Sequence, residues 1–157
     1  LRGAEAVALD WQDITFYRYG VMLHIARSKT DQAAAGQWVF LAAAPGDLLC
    51  PVAALRRWQQ VQGSSAGPVF TAYKGTARVS KGTFLGRLKR LMAALGQQAE
   101  IFGLHSLRRG GATAAARARV SQRMIMEHGM WRSDVVRQYM YADATQRWAV
   151  VPAMLKG

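Results

Sequence analysis

Short runs of β-branched and aromatic residues near the start of the chain predict a small sheet. The runs cover residues 14–17, 21–26 and 38–41, and turn-forming residues separate each run from the next. We therefore expect a three-stranded antiparallel meander. Residues 2–9 are good helix formers that begin without a capping residue, and they predict the end of a helix whose earlier turns precede the chain.

Helical patterns dominate the rest of the chain. Pro51 suits the first position of a helix that runs to about residue 62, and a short strand is expected at residues 69–70. Ser80, Ser106 and Ser121 are predicted N-caps. The predicted later helices span residues 80–96, 107–119, 121–128 (stopped by Gly129), 133–142 and 144–155. A small antiparallel sheet followed by a mostly helical bundle places the chain in the α+β class.

Positive charge is concentrated in the second part of the chain. The 157 residues include 21 Lys and Arg against 9 Asp and Glu, a net charge of +12. Residues 1–72 carry 6 basic and 5 acidic side chains, whereas residues 73–157 carry 15 and 4. Such an excess predicts a polyanionic partner. Because 51% of the residues are hydrophobic, the chain is too apolar to be a disordered basic tail.

The predicted helix over residues 80–96 carries several of these charges. Its apolar positions recur at helical spacing and are Phe84, Leu85, Leu88, Leu91, Met92 and Leu95. Its cations lie off that stripe or in the first turn and are Lys81, Arg87, Lys89 and Arg90. They form either a solvated face or a phosphate-facing one.

Several chemistries lack the residues that they need. One cysteine and three scattered histidines give no zinc spacing, the acids are dispersed, and no Gly-rich phosphate loop is present. We expect no metal and no other cofactor. No stretch of sequence is apolar enough for a membrane span, and Cys50 is expected to be a small buried side chain in a reduced, intracellular setting.

Residues 104–111, Leu-His-Ser-Leu-Arg-Arg-Gly-Gly, are the most informative segment. With Ser106 as N-cap, His105 would lie just before a helix and Arg108 on its first turn. Both side chains could then point at an anion bound by the first amide groups of that helix. A lone His-x-x-Arg is often structural, but its place in the strongly basic part of the chain favours a phosphate site.

Five separated segments form an ordered set. They are residues 1–9 with 11–14 (Leu-Arg-Gly-Ala-Glu-Ala-Val-Ala-Leu, Trp-Gln-Asp-Ile), 28–31 (Ser-Lys-Thr-Asp), 50–55 (Cys-Pro-Val-Ala-Ala-Leu), 105–113 (His-Ser-Leu-Arg-Arg-Gly-Gly-Ala-Thr) and 128–133 (His-Gly-Met-Trp-Arg-Ser), the last followed by Tyr139. Together they resemble the tyrosine recombinase (phage integrase) family along nearly the whole chain. Each segment alone is a weak signal, whereas five in order are specific.

The resemblance implies a catalytic site of six residues. They are Arg2, Lys29, His105, Arg108, Trp131 and Tyr139. Tyr139 would attack a DNA phosphodiester and form a covalent 3′-phosphotyrosyl link. Arg2 and Arg108 would brace the phosphate oxygens in place of metal ions. Because the energy of the broken bond is retained in the phosphotyrosyl link, no ATP would be needed.

The remaining three residues have implied roles in proton transfer and phosphate binding. Lys29 would protonate the leaving 5′ oxygen, and His105 would act as base or proton shuttle. Trp131 would donate its indole N–H to the phosphate. Taken singly, Lys29 could be an ordinary turn lysine, Trp131 a core anchor and Arg2 an exposed residue; their joint occurrence favours the site.

Tyr139 is the predicted nucleophile and Tyr141 the alternative. The two lie two residues apart on a predicted helix and face different ways, so only one can reach the phosphate. They follow Trp131 by 8 and 10 residues, on either side of the family spacing of about nine. Tyr139 is preferred because Val135, Val136 and Tyr139 would share one helical face.

The resemblance further implies that residues 1–157 are a catalytic domain without its first helices and without the family's N-terminal DNA-clamping domain. Double-stranded DNA would be the partner and a homotetramer on DNA the assembly, with residues 144–155 as an exchanged helix. The predicted DNA contacts are Lys81, Arg87, Lys89, Arg90, Arg109 and Arg132.

Two alternative functions stay open. One is a non-catalytic DNA-binding protein, either a degenerate recombinase or a helical regulator that uses residues 106–128. The complete set of arginines, lysine, histidine and tyrosine favours catalysis over this alternative. The other is a type IB topoisomerase-like nicking and closing enzyme, which would use the same chemistry on a single duplex.

Overall fold

A computed structural model of the chain describes residues 1–26, 36–72, 75–131 and 134–140, together with residues 152 and 154. The chain divides into two compact units. The first unit is Arg2–Ile101, and the second unit is Phe102–Gly157 with Leu1. The sheet and helices described below confirm the α+β class.

The predicted antiparallel meander is present in the first unit. Its strands are β1 (Ile14–Tyr17), β2 (Gly20–Ile25) and β3 (Gln37–Ala42), paired in the order β1-β2-β3. Alternate residues of β2 point into the core, and Val21, Leu23 and Ile25 are all buried. The strand bounds differ from those predicted by at most one residue, because this alternation is strong in the sequence.

Besides 3₁₀ helices at Trp11–Asp13 and Ala99–Ile101, the described residues of the first unit form three α-helices. They are α1 (Gly3–Ala8), α2 (Pro51–Gln62) and α3 (Lys81–Ala94). The prediction that residues 2–9 are the end of a longer helix is wrong. Arg2 has extended backbone angles, and its backbone N–H donates to the Glu5 carboxylate over 2.6 Å, so the helix begins at Gly3. The start of α2 at Pro51 and the Ser80 cap of α3 are confirmed.

Residues 69–70 do not form the predicted strand. Isolated bridges join Asp10 to Pro68 and Thr71 to Arg78 instead. Val69 is fully buried, and its backbone N–H donates to Leu9 over 3.0 Å. Residues 69–70 are therefore apolar because this connecting segment is buried against the end of α1. They do not form a strand of the sheet.

The apolar stripe predicted for α3 is less buried than expected. No residue of α3 is fully buried, and Leu91 and Leu95 expose 56% and 61% of their surface. Leu95 is the C-cap, and Gly96 follows with a positive φ of 70°, which agrees with the predicted stop. Helical periodicity thus located the helix correctly but overstated how much of it is covered within the described residues.

The second unit contains α4 (Leu104–Arg117), α5 (Gln122–Gly129) and a 3₁₀ helix at Asp134–Tyr139. Its core is formed by Ala112, Ile125 and Val136, one residue from each of these elements. The Ser121 cap of α5 is confirmed, since its hydroxyl accepts from the Met124 N–H.

Three expectations for the second unit change. Gly129 does not stop α5: it is the last helical residue, and Met130 makes the left-handed reversal at φ 55°. The predicted helix over residues 133–142 is a 3₁₀ helix where it is described. The predicted helix over residues 144–155 lies outside the described residues apart from Pro152 and Met154, both helical.

Candidate active site

Arg108 is a buried cation in the second turn of α4, with 8% of its surface exposed. Its Nη2 donates a hydrogen bond to the carbonyl oxygen of Gly129, the last residue of α5. Carbonyl groups at a helix C-terminus carry partial negative charge, so they suit a guanidinium. The packing of α4 on α5 therefore fixes where the charge of Arg108 lies.

Trp131 stacks on the same guanidinium. The Arg108 Cζ atom lies 3.9 Å from the centre of the indole ring, well within the range of a cation–π interaction. The ring also packs against the core of the second unit. Trp131 therefore packs against the core and contacts Arg108 with the same ring.

Gly129, whose carbonyl oxygen binds Arg108, also lies close to the Trp131 ring. A Cβ atom built on Gly129 would overlap Cζ3 and Cε3 of the Trp131 ring. The reversal at Met130 and a hydrogen bond from the Trp131 N–H to the Met126 carbonyl, at 2.9 Å, turn the chain back so that the ring lies over Gly129. Gly129 lies in the sequence segment 128–133, but the sequence gives no sign of this close contact.

His105 and Ser106 are placed differently from the prediction. The N-cap of α4 is Gly103, and Ser106 is the third helical residue, whose hydroxyl accepts from the Gly103 N–H over 3.1 Å. Ser106 is thus the N3 residue of α4, whose side chain bonds back to the N-cap, and it is not the N-cap itself. His105 consequently lies inside the first turn, exposed, three residues before Arg108 and on the same side of the helix.

Arg2 occupies the N-cap of α1 in the first unit and is ion-paired. Its Nη1 lies 2.7 Å from Oε1 of Glu5, while its backbone N–H donates to the other carboxylate oxygen. The Glu5 side chain is 4% exposed and that of Arg2 is 27% exposed. A buried carboxylate held at both oxygens orients the guanidinium, so Arg2 is not simply an exposed terminal residue.

Arg78 anchors the other end of α1 and was missed by the sequence analysis. Its guanidinium donates to the carbonyl oxygens of Val7 and Leu9 and lies 2.7 Å from the Asp10 carboxylate. These contacts tie the C-terminus of α1, and hence the helix that carries Arg2, to a segment about 70 residues away in sequence. No local pattern in the sequence signals such a contact.

Three predicted site residues, Lys29, Tyr141 and Arg132, lie outside the described residues. Tyr139 is the last residue of the 3₁₀ helix. The shared face predicted for Val135 and Val136 is wrong, since Val135 is 39% exposed and Val136 fully buried. Neighbouring residues of a 3₁₀ helix lie about 120° apart around its axis, so Val135 and Val136 point to different sides.

The predicted DNA-contacting cations differ in their surroundings. Lys81, Arg87 and Arg90 on α3 are exposed, as is Arg109 on α4. Lys89 is instead ion-paired, with its Nζ 2.6 Å from the carboxylate of Glu100. Part of the charge of Lys89 is therefore already compensated within the first unit.

Cys50 is buried as predicted, and it also caps α2. Its Sγ accepts hydrogen bonds from the backbone N–H groups of Ala53 and Ala44. These bonds, that of Ala53 above all, lower the pKa of the Cys50 thiol. Within the described residues, no group of three or more His, Cys, Asp or Glu side chains is placed to hold a metal ion.

No helix in the described parts of the chain has the length and apolar character that a membrane crossing requires.

A curated relative, an integrase/recombinase XerD homolog of Selenomonas ruminantium, is 31% identical over 146 residues, which cover 88% of this chain and 42% of the relative. The chain thus spans less than half the length of that relative.

Two solved structures are similar in fold. A post-cleavage complex of the XerH site-specific recombinase with palindromic difH substrate matches with a TM-score of 0.76 and 20% identity, covering 100% of this chain and 42% of that one. A pre-cleavage complex of XerH with difH substrate matches with a TM-score of 0.68 and 18% identity over 94% of this chain and 41% of that one.

The model of the phage integrase family matches residues 1–147, which include the segments that carry Arg2, Arg108, Trp131 and Tyr139. The chain therefore belongs to the phage integrase family, the tyrosine recombinases.

Proposed function

We propose that this chain carries the catalytic part of a site-specific DNA recombinase, which cuts and rejoins double-stranded DNA through a covalent 3′-phosphotyrosyl intermediate. The observation that carries the proposal is the setting of Arg108, a buried guanidinium fixed by the Gly129 carbonyl and the Trp131 ring. Family membership supports the reaction class, and the DNA-bound complexes of XerH support DNA as the substrate.

The proposed reaction is a phosphoryl transfer to tyrosine. The Tyr139 oxygen forms a bond to the phosphorus of the DNA backbone, and the bond from phosphorus to the 5′ oxygen breaks. His105 accepts the tyrosine proton, and Lys29 protonates the departing 5′ oxygen. Rejoining is the reverse, with a 5′ hydroxyl attacking the phosphotyrosyl link. Because the phosphodiester energy is retained in that link, the cycle needs no nucleotide triphosphate.

Side-chain cations stabilise the transition state in this proposal. Negative charge grows on the non-bridging phosphate oxygens, and Arg2 and Arg108 each supply a guanidinium with paired N–H donors. Glu5 directs the guanidinium of Arg2, and the indole N–H of Trp131 adds a donor beside Arg108. Both arginines are held in place before substrate arrives, so little reorganisation is needed in the reaction.

The DNA backbone is the proposed partner of the basic surface. Lys81, Arg87, Lys89, Arg90, Arg109 and Arg132 are the proposed phosphate contacts. We further propose that the full-length protein adds a DNA-clamping domain to this catalytic part and acts inside the cell as a homotetramer on DNA. The length of the XerD homolog, of which this chain covers 42%, leaves room for such a domain.

Covalent capture tests the proposed function. The full-length protein is incubated, in the presence of a chelator and without ATP, with a pool of nicked duplexes that carry a randomised central segment. A nick beside the scissile phosphate lets the short 5′-hydroxyl strand diffuse away and traps the intermediate. We expect a protein–DNA adduct that survives denaturation, whose sequencing identifies the preferred site.

Two matched variants identify the nucleophile. The adduct is expected to vanish in Tyr139→Phe and to persist in Tyr141→Phe, because phenylalanine lacks the attacking oxygen. The reverse pattern would transfer the role to Tyr141. The complete absence of an adduct from the unmodified protein would contradict the proposed function.

A further inference from the structure

We propose that Gly129 is a positioning residue of the active site and sets both Arg108 and Trp131. The inference rests on the proposed function. Gly129 touches no substrate in this scheme; it acts through the two residues that face the phosphate. Its carbonyl oxygen binds the guanidinium of Arg108, and its missing side chain makes room for the Trp131 ring.

The carbonyl of Gly129 fixes the direction of the Arg108 guanidinium. The guanidinium is planar and its N–H donors point in fixed directions, so the hydrogen bond from Nη2 together with stacking on the Trp131 ring determines where the other donors point. The acceptor lies at the end of α5, which packs against α4 in the core of the second unit. The orientation of the Arg108 guanidinium therefore depends on the packing of α4 against α5, because its acceptor is a backbone group of α5.

The missing Cβ of Gly129 determines where the Trp131 ring lies. The ring atoms that a Cβ would meet, Cε3, Cζ3 and Cη2, all belong to the six-membered ring of the indole. The backbone at Trp131 is held by its hydrogen bond to Met126 and by the left-handed reversal at Met130. A side chain at position 129 would therefore push the ring itself, and with it the cation–π contact to Arg108.

Backbone conformation does not explain a glycine at this position. Glycine at a helix end usually supplies a positive φ, but here the positive φ belongs to Met130, and Gly129 is helical. Alanine would favour the helix at this site. The close approach of the Trp131 ring is what requires glycine.

The test measures cleavage and binding separately in the full-length protein. Single-turnover adduct formation is followed on a nicked duplex recovered from the randomised pool, at saturating DNA, and affinity is measured by fluorescence anisotropy on the same duplex. We expect Gly129→Ala to slow adduct formation by about 100-fold, because small displacements of catalytic groups have effects of this size. We expect the affinity for DNA to change less than about threefold, since contacts of other Lys and Arg side chains to the DNA phosphates dominate binding.

A matched control replaces another helical glycine. Gly86 lies within α3, and nothing lies within 4 Å of a Cβ built on it. Gly86→Ala is therefore expected to leave the rate of adduct formation unchanged. A similar loss in both variants would overturn the inference.

A rescue experiment distinguishes a positioning role of Gly129 from a general loss of structure. It also tests the positioning role if Gly129→Ala alone does not fold. Trp131→His keeps an N–H donor but removes the six-membered ring that a Cβ at Gly129 would meet. We expect Gly129→Ala combined with Trp131→His to cleave at the rate of Trp131→His alone. A further loss of about 100-fold in the double variant would overturn the inference.

Failure of the inference differs from failure of the proposed function. An unmodified protein that forms the adduct, together with a Gly129→Ala variant of equal rate, would overturn the positioning role alone. Equal losses of cleavage and DNA affinity in Gly129→Ala would also overturn it, because they indicate a merely structural residue. No adduct from the unmodified protein would contradict the function itself.

Discussion

The guanidinium carbon of Arg108 lies 3.9 Å from the centre of the Trp131 ring. Arg108 belongs to α4, and Trp131 lies two residues after Gly129, the last residue of α5, so the contact joins α4 to the segment that follows α5. Trp131 also packs against the core cluster formed by Ala112, Ile125 and Val136. The charge of Arg108, a proposed phosphate contact, is thus positioned by a residue that packs on the hydrophobic core, which links the stability of this unit to its proposed chemistry.

Truncating Trp131 is expected to destabilise the protein more than truncating an exposed tryptophan. Trp131→Ala removes packing on the core and the cation–π contact, and we expect a loss of about 2–3 kcal/mol in the free energy of unfolding. Trp38→Ala is the matched control, because Trp38 lies on β3 and is 52% exposed. Urea unfolding followed by circular dichroism measures both. A loss in Trp131→Ala no larger than that in Trp38→Ala would contradict the greater contribution expected of Trp131.

Neutralising Glu5 is expected to weaken the positioning of the Arg2 guanidinium. Glu5→Gln keeps the shape of the side chain but removes the charge that holds the Arg2 guanidinium at 2.7 Å. We expect a loss of about 2 kcal/mol in the free energy of unfolding, since hydrogen bonds to a buried charged group are broken, and slower adduct formation.

Glu127→Gln is the control for Glu5→Gln. Glu127 also pairs with an arginine, Arg123, but both side chains are mostly exposed, at 54% and 87%. Solvent screens such a pair, so little change in stability is expected. If the two glutamate variants unfold alike, burial of the Arg2 pair has no energetic role.

Arg78 is expected to support Arg2 from the far end of α1. Arg78→Lys keeps the charge but cannot reach two carbonyl oxygens and a carboxylate at once. We expect a loss of about 1 kcal/mol in stability, a modest value because the side chain is 35% exposed. Adduct formation should slow while DNA affinity holds. An Arg78→Lys variant that cleaves at the unmodified rate would contradict this support.

The sheet and most helix starts could be predicted from the sequence, because they depend on local signals. Alternation at Val21, Leu23 and Ile25 and the proline at position 51 each report on their own neighbourhood. The predicted N-cap at Ser106 was wrong because serine suits both the N-cap and the third helical position. Only the backbone conformation distinguishes the two positions. The position of the left-handed residue at Met130 was likewise one residue beyond the expected Gly129.

The support of the site could not be predicted, because it consists of contacts between residues distant in sequence. Arg108 meets Gly129 21 residues later, and Arg78 meets Val7 71 residues earlier. Neither contact leaves a periodic pattern in the chain. The family resemblance located the candidate chemistry at Arg2 and Arg108, and the fold adds what holds each of them.

The cations of α3 are expected to set the salt dependence of DNA binding. Each arginine that neutralises one phosphate contributes about 0.9 to the slope of log affinity against log salt. The combined variant Arg87→Gln and Arg90→Gln should weaken binding and lower that slope by about 2 in anisotropy titrations. Lys89→Gln should change it less, because Lys89 is paired with Glu100. An unchanged slope in the double variant would remove α3 from the DNA-binding surface.

The most direct test of the account asks whether Arg108 acts on the charge of the scissile phosphate. Single-turnover cleavage by Arg108→Ala is measured on the captured duplex and on the same duplex with one non-bridging oxygen of that phosphate replaced by a methyl group. On the natural phosphate we expect a loss of about 100- to 1,000-fold with DNA affinity nearly kept. On the neutral methylphosphonate most of that loss should disappear, because there is no charge left for Arg108 to neutralise. An equal loss on both substrates would contradict the account.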